Sequence, residues 1–102
     1  MQQHVPAPAQ FVTLVEKIDQ SLDAVVDHGS DDELFIASYL QGHFAVEARK
    51  LELDSTANLT QLASNMQHSL DQAFSNNELE KADQQAVFTL WQKLLASCVD
   101  EA

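Results

Sequence analysis

The chain has 102 residues and a mass of 11.3 kDa, room for one ordinary hydrophobic core and not for two. Sixteen Asp plus Glu against five Lys plus Arg leave a net charge of −11. That balance lacks the basic footprint a phosphate backbone requires, so nucleic acid is not expected as a partner. At 45% hydrophobic residues the chain is nevertheless apolar enough to fold, unlike an acidic disordered tail.

The opening segment, residues 1–8, contains Pro6 and Pro8 and carries neither Lys or Arg nor an apolar run. It reads as a loose arm ahead of a single domain over 9–100, and not as a secretion signal. No stretch approaches the roughly 18 uninterrupted apolar residues of a membrane span, and a lone cysteine, Cys98, excludes an intrachain disulfide framework. A reducing, cytoplasmic setting is the expectation.

From Phe11 the apolar residues Leu14, Val15, Ile18, Leu22, Val25 and Val26 fall on one stripe roughly 120° wide, the signature of an amphipathic helix. Gly29 is placed to end it in a left-handed conformation. Ser30-Asp31-Asp32-Glu33 then has the S-x-x-E spacing of a capping box, which opens a second helix running to about Leu53. Asp54-Ser55-Thr56 offers stop and cap chemistry before a third helix. The third stripe is Leu59, Leu62, Ala63, Met66, Leu70, Ala73 and Phe74, ending at Ser75-Asn76-Asn77. A fourth helix begins between Asn77 and Lys81 and continues to Cys98, its apolar face carrying Val87, Phe88, Leu90, Trp91, Leu94 and Leu95. Four such segments joined by short turns predict an all-α, four-helix up-and-down antiparallel bundle.

The string Asp31-Asp32-Glu33-Leu34-Phe35, followed by Ala37, Tyr39-Leu40 and Gly42-His43, resembles the YfcL family of small bacterial proteins. Ser69-Leu70, Ala73, Glu78-Leu79, Asp83, Val87, Leu90-Trp91 and Leu94 extend the resemblance, which covers roughly Val26 to Ala96. Family members can show a glycine and a Ser-Pro where this chain has Asn76-Asn77 and Glu80-Lys81, which bears on where the fourth helix starts. The resemblance implies a helical fold and brings with it no activity, cofactor or catalytic residue.

Candidate sites divide into polar clusters and surfaces. His28 with Asp31, Asp32 and Glu33 has the donor set of a divalent-ion site, but a histidine in the last turn of one helix and acids in the first turn of the next also complement the two helix dipoles. The second explanation is the commoner one, and no metal is expected. His43 with Glu47 one turn on, and His68 beside Asp71 and Gln72, can be read as ligands or as a general base with its orienting carboxylate, or as packed rings. Neither follows H-E-x-x-H. There is no G-x-S-x-G, phosphate-binding glycine loop or C-x-x-C, and Cys98 lies on an apolar face with no cation in the preceding turn. An enzyme is not expected.

Helix 2 stands apart. Its residues divide into one stripe of Ala37, Leu40, Phe44, Ala48 and Leu51 and a second of Phe35, Tyr39, Gly42 and Val46 about 150° away. A helix on the wall of one core needs a single stripe. The second is therefore expected to meet a second copy of the chain, a partner or a ligand, using Phe35, Tyr39, Gly42, His43 and Val46; the alternative is a helix sandwiched among the other three. Gly42 weakens a helix interior by roughly 1 kcal/mol relative to alanine, and with Ser38 it would let another backbone come close. A second surface is the line Asp19, Asp23 and Asp27, which either keeps the protein solvated or adapts it to a basic protein surface.

Overall fold

A computed structural model describes residues 7–100, with side chains through Cys98. Four helices follow one another, α1 Ala9–His28, α2 Asp31–Leu51, α3 Leu59–Ser75 and α4 Lys81–Asp100, with no strand among the described residues. They form the up-and-down bundle that the four stripes predict.

Each stripe turns toward one core. Phe11, Ile18 and Leu22 come from α1, Leu40 and Phe44 from α2, Leu62, Met66 and Leu70 from α3, and Val87 and Trp91 from α4. Phe44 and Trp91 meet as a tilted ring pair with centroids 6.0 Å apart. α2 packs on all three other helices, and α4 likewise, so these two approach across the centre while α1 and α3 flank them.

The turns hold the surprises. Ser30 Oγ accepts from the Glu33 N–H at 3.2 Å and Glu33 Oε1 accepts from the Ser30 N–H at 2.8 Å, the complete capping box. Gly29 just before it is not left-handed; its φ of −80° is open to any residue. What requires glycine is space, since a Cβ there would lie 2.6 Å from the Val25 carbonyl oxygen and 3.0 Å from Glu33 Cβ. The left-handed residue is Asn77, with φ 59°. Its N–H donates to the Phe74 carbonyl at 3.0 Å and the Glu78 N–H to the Ala73 carbonyl at 3.4 Å, closing the end of α3 in a Schellman motif. Asn77 therefore finishes α3, and α4 starts at Lys81, the latest of the predicted positions.

α2 stops at Leu51, two residues earlier than expected. Asp54 does not cap α3. Its carboxylate instead accepts from the Thr56 N–H at 2.8 Å and the Thr56 hydroxyl at 2.6 Å, which holds this carboxyl below its ordinary range. The cap belongs to Asn58, whose Oδ1 accepts from the Gln61 N–H at 2.8 Å. Of the segment expected as an arm, residues 1–6 lie outside the described residues. Ala7 is buried and donates its N–H to the Glu52 carbonyl at 2.8 Å, and Pro8 precedes the first turn of α1.

Candidate functional site: the outward face of α2

The two apolar stripes of α2 have different fates. Ala37, Leu40, Phe44, Ala48 and Leu51 are all buried. Of the second stripe, Phe35 is 50% exposed and Val46 55%, while Gly42 lies open and a Cβ on it would meet nothing within 4 Å. Ser38 and Ala45 complete this surface, and both are exposed. Ile36, which neither stripe includes, is buried at the border of the core. Periodicity could have found it, because its direction lies about 80° from that of Phe44, near the edge of a core-facing stripe.

Tyr39 and His43 turn sideways. The Tyr39 hydroxyl donates to Glu78 Oε1 at 2.8 Å, and burial with this neighbouring carboxylate pushes the phenol up to about 12. The Tyr39 ring lies 4.8 Å from that of His43, and His43 Nδ1 is 2.9 Å from Ser69 Oγ on α3. Both side chains thus tie α2 to the α3 side of the bundle, which leaves Phe35, Gly42 and Val46 as the open part of the expected partner set. The partner of Tyr39 is 39 residues away in sequence and reaches it only because Asn77 turns the chain back.

The α1 side is tied as well. The Gln41 amide donates to Asp23 Oδ1 at 2.8 Å. Asp19 is partly buried, and burial together with the Asp23 charge raises its pKa while the Gln41 amide works in the opposite direction. Asp27 is exposed. The acidic line is therefore not uniform: one member is held by α2, one is partly withdrawn, and one faces solvent.

The polar clusters resolve differently. Glu33 is committed to the capping box, and among the described residues no three His, Cys, Asp or Glu side chains converge as a cation site. His68 is exposed and borders a small polar groove of about 240 Å³ between α2 and α3, where Glu47, Lys50 and Ser69 also lie. Glu47 is the buried charged residue of the described chain, and Lys50 Nζ donates to it at 3.2 Å. His43 and Ser69 make a hydrogen-bonded pair in mid-helix, where the backbone N–H groups are consumed by the helices themselves and cannot serve an oxyanion. The Glu47 carboxylate that would orient His43 is engaged by Lys50 instead.

A larger groove of about 710 Å³ opens at the end of the bundle, between the start of α1, the start of α3 and Cys98. Burial raises the Cys98 thiol, against an opposing pull from Lys17 on α1. No cation lies in the turn of α4 just before Cys98, Lys93 being five residues back; the bundle supplies Lys17 from another helix, and desolvation still prevails, which favours the protonated, less nucleophilic thiol.

No helix among the described residues is long and apolar enough to cross a membrane. A family model described as YfcL protein matches residues 12–96, reaching from the first turn of α1 to near the end of α4. The Escherichia coli (strain K12) protein named Uncharacterized protein YfcL is 36% identical over 73 residues, covering 72% of this chain and 79% of that one. No solved structure matches the chain. The match spans all four helices, including the α2 segment that carries the open apolar face, and the chain belongs to the YfcL family.

Proposed function

We propose that this protein is a cytoplasmic, non-enzymatic interaction module whose contact surface is the outward face of α2. The observation that supports this reading is the pair of half-exposed large side chains, Phe35 and Val46, on either side of a glycine that its own chain does not need. Leaving those groups in water forgoes burial at about 25 cal/mol per Å² of apolar surface, and Gly42 costs roughly 1 kcal/mol of helix stability in addition. Both losses are recovered when another protein covers the face.

A photo-crosslinking residue at position 46 tests it in living cells, with one at Gln67 on the exposed side of α3 as the control. The expected result is a discrete protein adduct from position 46 that disappears with Phe35→Ser, and none from position 67. Equal labelling at the two positions, or none at either, refutes the proposal. A basic partner held by the acidic line is the weaker reading, because Asp23 is already bonded to Gln41 and Asp19 is partly withdrawn from solvent.

A further inference from the structure

The open face of α2 is bounded by opposite charges. Its first turn presents Asp31, Asp32 and Glu33 and its last turn Arg49 and Lys50. Lys50 is paired with Glu47, and Glu33 is used by the capping box. Asp31, Asp32 and Arg49 remain, all exposed; Asp32 lies about 100° round the helix, whereas Asp31 and Arg49, 18 residues apart, return to the same direction after five turns, in line with Gly42 and Ser38. The face therefore reads, from one end to the other, acid, Phe35, Ser38, Gly42, Ala45 with Val46, base.

That order is complementary to itself when reversed. We infer that the partner of this face is a second copy of the same chain, with the two α2 helices packed antiparallel about a twofold axis that passes midway between Ser38 and Gly42. The inference rests on the interaction reading above and names its partner. In that register Asp31 of each copy faces Arg49 of the other, Ser38 faces Gly42, and Phe35 fits beside Ala45 and Val46. An isologous contact needs one patch that complements itself, and a parallel pairing would instead place acid against acid. The small residues sit at the crossing, where they allow the helices to approach to about 8 Å, and the end-to-end charges require a shallow crossing near 20° so that the termini do not splay apart. One helix face provides less than the roughly 800 Å² per partner of a standard interface, and eleven negative charges on each copy oppose association, so the pairing is weak and concentration-dependent.

Sedimentation equilibrium of the intact protein up to about 1 mM tests this, with circular dichroism melts of dilute samples reporting whether each variant folds. Wild type is expected to shift from monomer to dimer across the series. Gly42→Leu, whose new side chain has open space in its own chain, is expected to abolish the dimer while keeping the melt. Arg49→Asp, which sets two carboxylates against each other twice in the twofold contact, is expected to weaken pairing about tenfold, and Asp31→Arg in the same chain to restore it. Should the charge-reversed helix start prevent folding, Gly42→Leu and Arg49→Asp still carry the test. A wild-type monomer at every concentration overturns the inference; if position 46 still crosslinks to another protein, the interaction reading survives, and if it does not, both fall. A dimer indifferent to Gly42→Leu, or one that the double exchange fails to restore, also overturns it.

Discussion

The inward and outward faces of α2 are built from similar residues and live in different solvents. Phe44 and Phe35 sit on one helix nine residues apart, yet the first is fully buried against Trp91 and the second is half exposed. The local backbone is the same for both, so the contrast comes wholly from what surrounds the helix. α1, α3 and α4 cover one side of α2 and reach round its flanks through Gln41–Asp23 and Tyr39–Glu78, and they leave the remaining side uncovered. A helix can thus be central to a bundle and still present an apolar surface; the two explanations for its double stripe are not exclusive.

The contrast is broken most directly by truncating one phenylalanine on each face. Phe44→Ala should lose about 3–5 kcal/mol of unfolding free energy through lost burial and a cavity. Phe35→Ala at low protein concentration should stay within roughly 0.5 kcal/mol of wild type. Urea titrations read both, and equal losses would mean that the outward face is covered within one chain.

Gly42→Ala probes the same face without removing anything. Because the added methyl meets nothing, the dilute protein should gain about 1 kcal/mol from helix propensity, seen as a higher urea midpoint. A loss would show that the chain itself uses the glycine.

The flanking bonds produce smaller, pH-dependent effects. The Tyr39 phenol is neutral when it donates to Glu78, and its folded-state pKa of about 12 lies above the unfolded value of 10.0. Its contribution is therefore complete below pH 10.0 and is lost as pH rises toward about 12, so stability should fall across that window in wild type and fall less in Tyr39→Phe. On the other flank the folded-state pKa of Asp19 is also raised, so ionised Asp19 works against the fold at neutral pH. Asp19→Asn should be slightly more stable than wild type at pH 7, and the gap should close below pH about 4, where Asp19 is protonated in both states. Thermal melts across pH read this sign, and a variant less stable at neutral pH would refute it.

Much of this architecture is visible in residue order. Four stripes at helical spacing, the Ser30/Glu33 box and the scarcity of glycine and proline are local signals, and each depends on neighbours three or four residues apart. The departures arise where other contacts compete with those local signals. Gly29 was the natural left-handed residue by type, but that role falls to Asn77, because the chain must close α3 tightly enough to bring Glu78 to Tyr39. Asp54 and Thr56 have capping chemistry and spend it on each other, which leaves Asn58 to cap α3. Glu47 is buried although its spacing from His43 suggested a ligand pair, since Lys50 one turn on satisfies it.

The sequence by itself determined the number of helices, most of the residues that face the core and the presence of a second apolar stripe, because side-chain direction follows from helical geometry alone. Only the tertiary structure decided which of that stripe stays open. Tyr39 and His43 are drawn sideways by partners on the α3 side of the bundle, and Phe35, Gly42 and Val46 are left outside because four helices of this length enclose one side of α2 and have no fifth to cover the other.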